Sequence, residues 1–150
     1  MVELGKMAAV FLAAGNQNPL QEDRIDDMGV VSTYPQLFHN QVAGMTLVGM
    51  ATQKGIQSKL SKMVPRNGLW AIGDRVKCAS TKRRGWDWKV GTSFASPLAA
   101  GLAADEMALL LRSYPEYSER FPDEAETRRF LDDVLETMFR KPWIRPGGVC

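Results

Sequence analysis

Two cysteines and one histidine are all that this 150-residue chain offers to thiol or imidazole chemistry. Cys78 and Cys150 lie far apart, with no Cys-x-x-Cys spacing and no Cys/His cluster, so a zinc site is not expected and no metal is assigned. Their spacing argues for no particular disulfide. Charge of one sign is lacking too: 19 lysines and arginines against 17 acids leave +2, too little to imply a nucleic-acid partner or an anionic membrane. No apolar run approaches the roughly 18 residues that span a bilayer, so no membrane partner is expected. A signal peptide is not convincing either. Lys6 before the apolar Met7 to Ala14 has that flavour, but Glu3 offsets the lysine and the run ends in Gly15-Asn16 as a buried strand would. Cell location is not readable. Internal repeats and low-complexity tracts are absent.

What is present is ordinary in amount and uneven in place. A composition 45% hydrophobic and 24% charged suits one globular domain large enough to bury a core. The chain is organised around Gly91 to Ala104, GTSFASPLAAGLAA, which continues into Met107, Leu109, Leu110 and Leu111. This stretch predicts a strand-to-helix corner followed by a small-residue helix that can be buried on most faces. Pro97 is expected in its first turn, where the backbone donors are unpaired anyway. Ser93 then stands at a helix N-terminus. There the peptide dipole and free N–H groups favour developing negative charge, as the tetrahedral intermediate of a serine nucleophile requires.

Taken in order, Met7 to Ala14 is an unbroken apolar octet, read as a central parallel strand covered on both faces. Ligands in such sheets gather beyond the C-terminal ends of the strands, which is where Asn16 falls; taken alone, Ala14-Gly15-Asn16 is a turn. Gln17 to Met28, with Glu22, Asp23, Asp26 and Asp27, has acidic residues at short spacing but no EF-hand order, and reads as a solvated loop. Tyr34-Pro35 is a turn. Strands are predicted at Gln41 to Met50, near Ile56 to Leu60 after a Gln53-Lys54-Gly55 loop, at Leu69 to Ile72 and at Arg75 to Ala79. Thr81 to Lys89, TKRRGWDWK, mixes cations with Trp86 and Trp88. That mixture suits single-stranded nucleic acid, but the stretch is short and reads better as a surface hairpin leading into the serine corner. Phe121-Pro122-Asp123 opens a second helix, whose Phe130, Leu131, Val134, Leu135, Met138 and Phe139 form one apolar stripe expected to cover the sheet. Residues 142–150 read as a loose tail.

Two of these segments together resemble one family. Gly91-Thr92-Ser93-Phe94-Ala95-Ser96-Pro97 is similar to the catalytic-serine signature of the subtilisin-like serine peptidases. Val10-Phe11-Leu12-Ala13-Ala14-Gly15-Asn16 resembles that family's buried strand ending in its oxyanion asparagine. Weaker similarity at Tyr34-Pro35, Met45 to Met50, Leu69 to Gly73 and Ser80-Thr81 links them. The resemblance implies an α/β fold, a doubly wound and mainly parallel sheet with helices on both faces, lacking the N-terminal strands. It implies Ser93 as nucleophile and Asn16 as oxyanion donor. Ala13, Ala14 and Gly15 would form one wall of the substrate pocket, Thr92 and Ser96 would shape the corner, and Gly91 and Pro97 would support it. No cofactor is implied, and the partner is a peptide or protein substrate.

The family's aspartate and histidine precede its Ala-Ala-Gly-Asn strand, which here lies close to Met1. The expectation is therefore residues 1–141 as the C-terminal portion of a peptidase domain, inactive or very weak alone, and self-associating through an exposed sheet edge. His39 lies between the two motifs, on a segment unlike the family's histidine motif, and reads as a loop histidine. The alternative is a non-catalytic interaction module on the same scaffold. An unrelated hydrolase pairing Ser93 with Lys89 or His39 is the remaining reading.

Overall fold

Alternation fails in Met45–Ala51 because both faces of that strand are covered: all seven residues are buried. The computed structural model describes residues 8–17, 36, 44–65, 68–82, 84–115, 124–139 and 145–146. Within them β1 (Val10–Ala13), β2 (Met45–Ala51) and β3 (Leu69–Ile72) form a parallel sheet in the order β1-β2-β3. β4 (Val76–Ala79) and β5 (Trp86–Lys89) form a separate antiparallel hairpin. The helices are α1 (Thr92–Ser113) and α2 (Glu124–Phe139), and β6 (Arg145–Pro146) pairs antiparallel with β3. Part of the expected loose tail is thus tied to the sheet.

Among the described strands β2 is the most deeply buried. Among the described residues β1 pairs with β2 alone, and Val10 to Ala13 are only half-buried. Side chains alternate across β2 and β3 and so build two cores. Val48, Met50, Leu69 and Ala71 face the helices, meeting Ala95, Ala99 and Ala103 of α1 and Phe130, Leu131 and Val134 of α2. Leu47, Ala51 and Trp70 face the other way, with Ala14 and Val64. Both described helices therefore lie on one face of the sheet, where helices on both were expected. α2 packs chiefly on α1 and forms a second layer over the helix that covers the strands. Its stripe is seen at Phe130, Leu131 and Val134, all buried, with Leu135 at the margin.

Two expectations about α1 change. Its buried residues are Thr92, Ala95, Ala99 and Ala103, one narrow stripe, while Leu98 and Leu109 are exposed. Small residues at four-residue spacing let the helix sit close on the sheet, and only that stripe makes the contact. By length and composition the 22-residue α1 is long and apolar enough to cross a membrane, which corrects the expectation that no run approaches that length. In this fold its stripe packs on β1, β2 and β3.

The link from β2 to β3 lies against the other core. Gly55 N donates to Thr52 O and Thr52 N to Ile56 O, closing the expected turn. The strand expected over Ile56 to Leu60 shrinks to one bridge at Gln57, because Ser58 to Ser61 turns on itself through Ser61 N to Ser58 O. Ser61 has a structural task that composition did not mark. Its buried hydroxyl accepts the Met50 N–H at 2.9 Å and donates to Lys62 O at 2.9 Å. Ser61→Ala leaves the Met50 N–H buried and unpaired, an expected loss of about 1–3 kcal/mol. A denaturant midpoint lowered with an unchanged slope would show it.

Candidate active site

The C-terminal end of β1 and the N-terminus of α1 are brought together by backbone contacts that leave no room for side chains. Gly73 N donates to Ala51 O at 3.1 Å and Gly91 N donates to Gly73 O at 2.9 Å, so the end of β2, the turn after β3 and the start of α1 form one hydrogen-bonded line. A Cβ on Gly73 would lie 2.6 Å from Gly91 O. Gly91 is the N-cap of α1 with φ of 149°, a conformation that favours glycine, and a Cβ there would meet Asn16 Nδ2 at 3.2 Å.

Across this corner Thr92 and Asn16 are locked to each other. Asn16 Oδ1 accepts from Thr92 N at 2.9 Å and from Thr92 Oγ1 at 3.2 Å, while Thr92 Oγ1 accepts from Gly15 N at 3.2 Å. A hydroxyl has one proton to give, and it goes to Asn16. Asn16 therefore caps the helix from another part of the chain; the cap residue Gly91 has no side chain to do so. Because the backbone N–H of Thr92 needs an acceptor, the amide is oriented with its oxygen toward the helix. Its NH₂ group has no hydrogen-bond partner among the described residues.

Ser93 follows as the second residue of α1 and is exposed. Neither its N–H nor its Oγ is hydrogen-bonded within the described residues, the former being one of the orphan donors of a first helical turn. Among the described residues Asn16 Nδ2, the Ser93 N–H and the Ser93 hydroxyl are thus all without a hydrogen-bond partner. Ser96 Oγ donates to Phe11 O at 3.0 Å and pins the first turn to β1. Pro97 is the sixth residue of α1, not in its first turn. Lacking an N–H, it leaves the Ser93 carbonyl without the usual donor from four residues on.

The other expected site residues divide. Ala13 is half-buried, and its carbonyl accepts from Gln36 Nε2 at 2.9 Å. Ala14 is fully buried among Leu47, Ala51, Val64 and Trp70, and its N–H donates to Val48 O at 2.9 Å. Its side chain belongs to the core. Gly15 is half-buried with φ of 102°. Its carbonyl accepts from Lys62 N at 2.9 Å, and the aliphatic stem of Lys62 lies 3.3 Å from where a Gly15 Cβ would be. Lys62 carries no motif that marks it in the sequence, and for the close approach at Gly73 the glycine itself is the signal. His39, the acidic stretch around Glu22 to Asp27, Tyr34-Pro35 and Phe121 to Asp123 lie outside the described residues, as does Cys150. Cys78 is a free, half-buried thiol. No group of three or more His, Cys, Asp or Glu suited to a metal occurs among the described residues.

No protein-family model and no curated protein matches this chain. Solved structures do. A serine-to-alanine mutant of the protease domain of PatA superposes with a TM-score of 0.53 at 22% identity, covering 81% of this chain and 38% of that one. The self-cleaved protease domain of PatA gives 0.51 at 22%, covering 81% and 40%. The prenylagaramide maturation protease PagA gives 0.49 at 21%, covering 69% and 33%. The chain spans less than half the length of these structures. The two PatA matches show the fold, which is that of the subtilisin-like proteases.

Proposed function

We propose that this chain carries the nucleophile and oxyanion part of a subtilisin-like serine endopeptidase site. The observation that supports it is the Asn16–Thr92 lock, which commits the Asn16 amide oxygen to the start of the helix that carries Ser93 and leaves the amide NH₂ without a partner among the described residues. In this reading Ser93 Oγ attacks a peptide carbonyl, and its oxygen, becoming negative, is held by the Asn16 NH₂ and the Ser93 N–H at the helix N-terminus. Donors already fixed before the reaction cost no reorganisation, which is why such a hole accelerates acyl transfer. In subtilisin itself, removing one such donor lowers turnover by about 10²–10³. Ala13 to Gly15 supply backbone for one side of the substrate pocket. Thr92 positions the asparagine, Ser96 holds the helix to β1, and Gly91 permits the close approach.

A serine hydroxyl needs a positioned base to be a competent nucleophile. Among the described residues no side chain hydrogen-bonds to Ser93 Oγ. The proposal therefore assigns this chain no more than very weak hydrolysis unless a histidine–aspartate pair reaches the corner from elsewhere. The same observation favours the second reading, an interaction module that keeps the scaffold without the chemistry.

A fluorophosphonate probe separates them. The expected result is labelling of Ser93 in the presence of a base-supplying partner or second copy, abolished in Ser93→Ala. Labelling that survives Ser93→Ala would overturn the assignment of the nucleophile. A folded chain that never labels would leave the interaction module.

A further inference from the structure

Positive charge is concentrated in one short segment of a nearly neutral chain. Residues 75 to 89 hold six cations, Arg75, Lys77, Lys82, Arg83, Arg84 and Lys89, against one anion, Asp87. That is a surplus of five where the whole chain has two, so the remainder is net acidic by three. The β4–β5 hairpin then sorts this segment by face. Side chains alternate along a strand, which puts Trp86 and Trp88 on one side and Asp87 and Lys89 on the other. Asp87 lies 4.0 Å from Lys89, away from the tryptophan face. The register sets Lys77 opposite Trp88 and Ala79 opposite Trp86. Lys77 Nζ lies 5.1 Å from the centre of the Trp86 ring, on the diagonal, and the Arg75 guanidinium 5.8 Å from that of Trp88.

Both rings are left in solvent, Trp86 at 59% and Trp88 at 63% exposure, although indoles bury readily where a core is offered. The face therefore presents two tryptophans and two stacked cations, with no carboxylate of its own strands on that side, and the exposed Lys82 and Arg84 lie in the adjoining turn. From Trp88 the chain runs through Lys89 and the half-exposed Val90 straight into Gly91 and Ser93.

We propose that this face of the β4–β5 hairpin is a docking surface for an acidic segment of a polypeptide substrate, next to the serine corner. The proposal rests on the reading of that corner as a peptide-hydrolysing site. Its occupant follows from charge and from ring geometry. Carboxylates answer Arg75, Lys77, Lys82 and Arg84, and apolar side chains pack against the indole edges. Single-stranded nucleic acid stacks on open ring faces, and here each ring has a cation over one face. An anionic bilayer takes tryptophans whose cations flank them at headgroup level; stacked on the rings, Arg75 and Lys77 would be carried inward with them.

The test is fluorescence anisotropy of a short labelled peptide rich in Asp and Glu with interspersed Leu, titrated with the full chain. The expected result is saturable binding that falls steeply with salt and weakens at least roughly tenfold when the acids are replaced by Asn and Gln. The double variant Arg75→Gln/Lys77→Gln and the single variant Trp88→Ala are each expected to weaken it similarly, with unchanged far-ultraviolet circular dichroism. Ser93→Ala is expected to bind as well as the parent, so a failure of the nucleophile assignment leaves this result standing. Equal binding of the neutral peptide, binding unmoved by the hairpin variants, or tighter hairpin-dependent binding of oligothymidylate or phosphatidylserine vesicles would overturn the proposal.

Discussion

Gly73→Ala is expected to lower stability and loosen the serine corner at once. Its Cβ would sit 2.6 Å from Gly91 O, 2.9 Å from Met50 Cγ and 3.0 Å from Ala95 Cβ. The methionine end can move. The first contact is with backbone, and that backbone belongs to the N-cap of α1, so relief comes only by shifting the helix start. Overpacking of this kind costs about 1–3 kcal/mol and sometimes more. For a chain of this size that is on the order of 2–4 °C of melting temperature for each kcal/mol. Moving Gly91 also moves the Thr92 N–H that holds Asn16, so any serine labelling should fall with it. Gly101→Ala is the control. A Cβ there meets nothing within 4 Å, and alanine in an exposed helical position is expected to raise stability by about 0.5–1 kcal/mol. Unchanged melting in Gly73→Ala would mean that the β3 turn does not press on the helix start as described.

The largest loss is expected from Phe130→Ala. Phe130 is fully buried and is the largest side chain of the core between α1, α2 and the sheet. Removing it forfeits apolar transfer and leaves a cavity that only partly collapses, about 3–5 kcal/mol in well-packed cores. A domain stable by about 5–15 kcal/mol would retain little margin. The sharper comparison is with Leu135→Ala at the margin of the same helix, which should cost clearly less. Equal midpoints for the two would contradict the packing of α2 on α1.

How much of this was legible beforehand depends on the type of signal. The serine corner, α1, β3, β4 and the hairpin were readable because glycines, prolines and apolar runs act locally. The face of α1 that is buried was not. Alanines and leucines alternate around that helix without a strong polar side, so only the position of the sheet chose Ala95, Ala99 and Ala103 over Leu98 and Leu109. The described neighbours of β1 could not be read for a related reason. An apolar octet says that a strand is covered, and says nothing of how many neighbours it has. Ile56 to Leu60 had strand-like residues, yet serine hydroxyls and turn hydrogen bonds took the backbone donors that a ladder would have used.

For the site, the sequence by itself determined the residue types: a glycine at the cap, a threonine and serine entering the helix, and an asparagine after a buried strand. It also determined that cations and tryptophans would be neighbours on one strand pair, since period-two alternation sorts them without help from the rest of the chain. Only the tertiary structure decided which atom each residue offers. Asn16 and Thr92 stand 76 positions apart, and their hydrogen bond exists because parallel pairing of β1 on β2 and the line Ala51–Gly73–Gly91 bring a strand end to a helix start. That contact commits the amide oxygen to the helix start and leaves the amide nitrogen without a partner among the described residues. The physical reason is directional: hydrophobic pattern is a property of a segment, whereas a hydrogen bond needs two groups placed by different segments at once.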